Sequence, residues 1–274
     1  MEKPWKEMAV DVDSLVFFYM RKYLDIPYPT RKDEKLVCAG FVHDTKKSAK
    51  WIVDDMAKYS AKQLLSLLKY LESNGLVLYP VYSTGYPKLK RDLYDERLQK
   101  KNSMEATFLK MDPDTVLSSM KKYMLYFRDD VRDIVVQHPK LKHLHKSTEA
   151  DKWCGKNHRV IMSEDVDIFL FGNKRTTIVK PFLLDIHPTH FDFVDCKSYF
   201  MDKGISTHDE FVQVAFMSGT DYNRGIKGMG VKKSVAAIAK YGTIQEYIRR
   251  KYDLTDENAE EFVKKYKQFS KYVF

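Results

Sequence analysis

Acidic residues recur in small groups at the ends of apolar segments of this sequence. Asp11 and Asp13 close "MAVDVD". Glu149 and Asp151 sit in "EADKWC". Asp165 and Asp167 follow the apolar "RVIM" in "SEDVDIFLFG", and Asp221 falls in "SGTDYNRG" after "FVQVAFM". A carboxylate flanked by buried-type residues is costly unless a partner offsets its desolvation. Where several meet, they also repel one another and their pKa values rise. Hard divalent cations relieve both problems. Mg²⁺ or Mn²⁺ takes oxygen ligands, and an acidic cluster can hold two such ions a few ångströms apart. A pair of this kind activates water and stabilises a leaving oxygen, as phosphodiester hydrolysis requires. Taken singly, each group has a plainer reading. Ser163 followed by acids, for instance, is an ordinary helix N-cap. The conjunction favours metal.

A second signal lies in "GTDYNRGIKGMGVKKSVAAIAKYG", residues 219–242. Gly225, Gly228 and Gly230 permit a tight turn and close backbone approach to a ligand. The helix that follows starts near Val231, so its free N–H groups face the turn and suit a phosphate. Lys227, Lys232 and Lys233 add charge beside it. Such a device reads a nucleic-acid backbone without reading bases.

These residues need elements to hold them. "MAVDVD" alternates as a strand, with Asp11 and Asp13 on one face. "SLVFFYMRKYL" suits a buried helix. Residues 52–73 have helical spacing and stop at Asn74-Gly75. "LVLYPVYS" reads as the next strand. Residues 88–136 form a charged helical stretch that Asp112-Pro113-Asp114 interrupts, starting a new helix. Ser147 or Thr148 can cap a short helix. "RVIMS" is a strand, "TTIVKPFLL" a strand pair or hairpin arm, and the chain turns helical from His208. Strand–helix–strand order of this kind specifies an α/β sheet, whose carboxyl edge is where ligands bind.

The 274 residues suffice for one large domain or two modest ones. At 44% hydrophobic and 31% charged, a folded core is expected, and no apolar run approaches a membrane span. The N-terminal "MEKPWKEMAVDVD" places acids where a secretion signal needs an apolar segment. Cys38, Cys154 and Cys196 form no CxxC pair, which fits a reducing compartment, nucleus or cytoplasm. The net charge of +9 favours a polyanionic partner.

The blocks "AVDVDSLVFFY", "EADKWC", "SEDVDIFLFG" and "SGTDYNRGIKGMGVKKSVAAI", in this order, resemble the flap endonuclease/XPG family of structure-specific 5′-nucleases. The likeness runs from about residue 9 to 247 and is to a short, divergent form, such as viral relatives show. It implies a PIN-like, mostly parallel sheet flanked by helices. Residues 1–207 would be the nuclease core, with a helical gateway at 88–136. Residues 208–274 would carry a helix-two-turn-helix that grips duplex backbone through a K⁺ ion. Asp11, Glu149 and Asp151 would hold the first Mg²⁺ or Mn²⁺, and Asp165, Asp167 and Asp221 the second. Lys90 and Arg97 would contact the scissile phosphate. The expected partner is branched, flap or 5′-ended DNA, cut by a monomer. Alternatives are an RNA endonuclease of the host messenger-shutoff type and a catalytically impaired nucleic-acid-binding scaffold. Three departures stand out. Ser83 occupies the place of a family aspartate, and Asp13, sharing a strand face with Asp11, would stand in for it. "MEKPWKEM" replaces the family's Met-Gly start. "QFSKYVF" is not read as a sliding-clamp peptide.

Overall fold

Strand β1 (Glu7–Asp11) is buried from Met8 to Asp11 rather than on alternate residues. The computed structural model, which describes residues 5–25, 35–38, 41–44, 49–108, 124–181, 191–251 and 256–274, shows why. β1 is an inner strand of a six-stranded sheet, paired in parallel with a neighbour on either side, so both its faces are covered. It also ends sooner than its alternation suggests. Helix α1 (Val12–Asp25) begins directly after Asp11. Asp13 therefore lies in the first helical turn and not on a strand face with Asp11.

An antiparallel pair, β2 (Lys35–Cys38) and β3 (Phe41–Asp44), follows α1 and was not apparent from periodicity. Helix α2 (Ala49–Ser73) stops where Asn74-Gly75 predicts, with Gly75 in the left-handed region at φ 82°. Next come β4 (Val77–Ser83), a 3₁₀ turn at Lys88–Lys90, and α3 (Arg91–Phe108). The helix start expected at Asp112–Asp114 lies outside the described residues. α4 (Arg128–Val136), β5 (His145–Ser147), α5 (Ala150–Asn157), β6 (Val160–Met162) and the single turn α6 (Ile168–Phe171) lead to the arms β7 (Thr177–Pro181) and β8 (Phe191–Asp195). The chain ends in helices α7 (Cys196–Asp202), α8 (His208–Ser218), α9 (Val231–Tyr241), α10 (Ile244–Lys251) and α11 (Asp256–Val273).

The strand order is β5-β4-β1-β6-β7-β8, with every pairing parallel except β7 with β8. Successive strand residues point to opposite faces, and the core divides accordingly. Met8, Val10, Met162 and Val179 pack with Phe18, Met56, Leu64 and Val131 of α1, α2 and α4. Ala9, Ile161 and Ile178 pack with Phe169, Val212, Ile238 and Phe269 of α6, α8, α9 and α11. Asp11, Ser83 and Ser147 are the last residues of parallel strands, and Ser163 follows the end of β6, so all four reach one edge of the sheet. Gly155 of α5 lets two acid-bearing segments approach closely. A Cβ there would lie 2.8 Å from Phe171 Cβ and 3.0 Å from the Ile168 carbonyl oxygen. Among the described residues, no helix is long and apolar enough to cross a membrane.

Candidate active site

The carboxyl edge of the sheet opens into a cavity of about 390 Å³. Asp11, Asp13, Glu149, Asp151, Asp165 and Asp221 line it, and so do Lys90 and Arg97. Asp167 lies on an adjoining groove that shares Asp221 with the first cavity. Residues from four separated stretches of chain thus meet, as the acid groups predict.

The local geometry explains how. Ser163, fully buried, donates its hydroxyl to Asp11 Oδ2 at 2.8 Å and accepts from the Asp165 amide at 3.0 Å. One hydroxyl thereby ties the end of β1 to the turn after β6. Ser163 is not a helix cap, contrary to the plain sequence reading. The helix begins at Ile168 with Asp167 as its N-cap, and the Asp167 amide donates to Asp165 Oδ1 at 2.8 Å. Nor do Ser147 and Thr148 cap α5. Glu149 is the N-cap residue, and the Ala150 amide donates instead to Ser83 Oγ on β4, 3.0 Å away. The Ser147 hydroxyl bonds the Glu149 backbone, accepting from its amide at 3.2 Å and donating to its carbonyl at 3.0 Å.

The acids disturb one another as crowding demands. Burial, then the Asp151 and Asp13 charges, holds Asp11 well above the usual carboxylate range. Asp165, which solvent reaches through the cavity, is raised by desolvation and by Asp151. Asp167 is pushed up to about 8 by burial, Asp165, Asp221 and Asp151. Burial acts most strongly on Asp151 and would raise it, but the Lys90 charge, backbone hydrogen bonding and the Arg128 charge together outweigh it, and the carboxyl is held below its ordinary value. Lys90 Nζ stands 2.6 Å from Glu149 Oε1 and 3.3 Å from Asp151 Oδ2, and Arg97 Nη2 stands 3.0 Å from Asp221 Oδ1.

With these cations between them, no three His, Cys, Asp or Glu side chains among the described residues are gathered closely enough to hold an ion as placed. The donor chemistry nevertheless fits a hard divalent cation. The donors are carboxylates, they face one cavity and its adjoining groove, and three of them are raised by burial and by one another's charge. Lys90 and Arg97 must swing outward for ions to take the oxygens they now hold.

Asp13 lines the same cavity from α1, 8% exposed, so its place in the cluster does not need the strand face that periodicity gave it. Its Oδ2 accepts from the Ser83 amide at 2.9 Å. Its Oδ1 has no hydrogen-bond partner and lies 3.8 Å from Arg132 Nε. Sequence reading missed Arg128 and Arg132, which line the same cavity. In the sequence they are two more charges in a charged stretch. It also missed Tyr222 and Tyr272, which donate to Glu149 Oε1 (2.5 Å) and Oε2 respectively. Tyr222 could have been found beside Asp221, whereas nothing around Tyr272 marks it.

The glycine-rich turn links α8 to α9. Gly225 has φ 65°, and a Cβ there would lie 2.5 Å from the Gly219 amide nitrogen. Gly228 is also left-handed, at φ 82°, but in open space. Gly230 is the N-cap of α9, whose first turn has no side-chain cap. Lys227, Lys232 and Lys233 are exposed around it, with Lys233 Nζ 3.2 Å from the Gly228 carbonyl. The arrangement suits a phosphate. Gly225→Ala is expected to destabilise the protein by about 1–3 kcal/mol, or more if the backbone contact cannot relax. Gly228→Ala should cost visibly less. Thermal unfolding of the two variants side by side checks this.

No family model matches the chain. It is 24% identical over 191 residues to a flap endonuclease 1 of Methanosphaera stadtmanae, covering 66% of this chain and 58% of that protein. It is 25% identical over 227 residues to a flap endonuclease 1 of Picrophilus torridus, covering 73% and 65% respectively. The chain thus spans under two thirds of the length of these relatives. Among solved structures, the bacteriophage T5 D15 flap endonuclease, in a complex with DNA and metal ions, superposes with a TM-score of 0.54. That match has 12% identity and covers 97% of this chain and 90% of that one. The fold is that of the T5 nuclease, and the sequence is similar to the flap endonucleases.

Proposed function

We propose that this chain is a divalent-metal-dependent 5′-nuclease that hydrolyses phosphodiester bonds in branched or 5′-ended DNA. The observation that carries the reading is the meeting of acids from four stretches of chain on one cavity that also contains Lys90 and Arg97. Asp11, Glu149 and Asp151 would hold one Mg²⁺ or Mn²⁺, and Asp165, Asp167 and Asp221 the other. Bound there, the ions supply an activated water and charge neutralisation at the leaving oxygen. Lys90 and Arg97, released from the acids, are within reach of a phosphate entering the cavity and would stabilise the charge it develops. Ser163 keeps Asp11 and the Asp165 turn in register. The DNA complex of the structurally similar T5 flap endonuclease supports a DNA partner; backbone contact would run through Gly225–Lys233, with a K⁺ ion in that turn.

Cleavage of a labelled 5′-flap DNA, a nicked duplex, a single strand and a structured RNA, with and without Mn²⁺, tests the proposal. Mn²⁺-dependent cutting of the flap or nicked DNA is expected. Cutting of RNA alone would reassign the substrate, and no cutting alongside duplex binding would make the chain a scaffold. Replacing Lys227, Lys232 and Lys233 with alanine should weaken duplex binding at all sequences alike. The slope of log affinity against log salt should fall by about one for each lysine that contacts phosphate. Binding isotherms at several salt concentrations measure it.

A further inference from the structure

Glu149 is held from an unexpected direction. Its carboxylate accepts the Tyr222 hydroxyl on Oε1 and the Tyr272 hydroxyl on Oε2, and Lys90 Nζ lies 2.6 Å from Oε1. Tyr222 is a neighbour of Asp221 in sequence. Tyr272 is not part of any acid-bearing segment. It belongs to the last turn of α11, more than a hundred residues away in the chain.

The ring that carries this hydroxyl is itself immobilised. It meets Phe171 edge-on, at 6.1 Å between centroids and an interplanar angle of 86°, and Tyr222 at 5.5 Å. Lys152 Nζ lies 3.5 Å from the ring centroid and donates to the Tyr272 carbonyl at 2.5 Å. Lys156 Nζ donates to the Phe274 carbonyl at 3.1 Å. Two lysines of α5 thus hold the carbonyls at the end of α11, where cations are favoured. Below them Phe269 and Val273 are buried in the core. Phe171 closes α6, the turn that begins at Asp167. Tyr272 therefore touches Glu149 through its hydroxyl and, through its ring, the far end of the turn that Asp167 begins.

We infer that Tyr272 is a positioning residue for the metal centre. It fixes the rotation of the Glu149 carboxylate and links the two acid-bearing halves of the site, so that docking of α11 sets metal affinity. The inference rests on the metal reading of the cavity given above. With a tyrosine hydroxyl on each oxygen, the Glu149 carboxylate has its remaining lone pairs aimed, and such supporting hydrogen bonds are worth about 10–100-fold in metal affinity or activity. The hydroxyl acts through Glu149 and does not contact the reacting atoms.

Calorimetric titration of Mn²⁺ into the metal-free full chain, wild type against Tyr272→Phe, tests this. The phenylalanine keeps the ring and its packing and removes only the donor. The expected result is Mn²⁺ binding weakened by about 10–100-fold, with the metal-free melting temperature close to that of wild type. Activity on flap DNA should then be restored as Mn²⁺ is raised. Wild-type affinity in Tyr272→Phe would overturn the role of the tyrosine while leaving the metal reading intact. Weakened affinity together with a large fall in melting temperature would make the hydroxyl structural and overturn it too. Absence of Mn²⁺ binding by the wild type itself would instead sink the metal reading.

Discussion

The Asp165→Ala/Asp167→Ala double variant is expected to lose metal-dependent strand cleavage by on the order of 10³-fold or more, as when one member of a catalytic unit is removed. Its binding to duplex DNA should change little, because the Gly225–Lys233 turn and the acids lie on different segments. The same variant should be the more stable protein at pH 8 when metal is absent. Asp167 in the fold titrates near 8, against an ordinary value of 3.8. For a carboxyl raised on folding, the stability it contributes is fully present below the unfolded value. It drains away as pH rises toward the folded one. Metal-free wild type should therefore lose melting temperature between about pH 4 and pH 8, and the double variant should show a flatter profile. Divalent ion should stabilise the wild type most at the upper end of that window. A double variant that cuts flap DNA at the wild-type rate would remove these acids from the mechanism.

Lys90→Ala should produce two large effects of opposite remedy. Lys90 is the cation between Glu149 and Asp151, in a pocket where its own side chain is 14% exposed and theirs are 5% and 15%. Removing one partner of a buried ion pair leaves charge uncompensated, at a cost of about 3–5 kcal/mol. The metal-free variant should melt well below wild type. Mn²⁺ should recover most of that loss, since it replaces the missing positive charge. Turnover should not recover. A donor aimed at developing charge is worth about 10²–10³ in kcat, and the metal that restores the fold cannot replace it. Melting curves and flap cleavage, each with and without Mn²⁺, separate the two. Equal rescue of both by metal would mean that Lys90 serves the fold and not the reaction.

What could be read from the sequence was whatever repeats locally. Asp11, Asp165 and Asp221 stood out because each lies at the end of an apolar run, and the α9 start at Val231 was visible from its glycines and lysines. Features settled by distant contacts were hidden. Alternation extended β1 to Asp13, yet a strand covered on both faces need not alternate, and the helix starts at Val12. Ser147 seemed a cap by proximity, but Ser83, 67 residues from Ala150, supplies the acceptor for the Ala150 amide. Arg132 meets Asp13, and Tyr272 meets Glu149, only because the sheet and α11 carry them there. No pattern of spacing encodes such pairings.

Gly155 has a bearing on ion choice. The helix bearing Asp151 rests against the turn bearing Asp167 with no side chain between them, and a methyl group would strike backbone as well as Phe171. The separation of the two acid-bearing segments is therefore a backbone dimension, which rotamer changes in the carboxylates can trim but not reset. If these acids hold the proposed ions, a calliper fixed in this way would discriminate by ionic radius. Preference for a small ion such as Mg²⁺ over a large one such as Ca²⁺ would then be set by a residue that supplies no ligand.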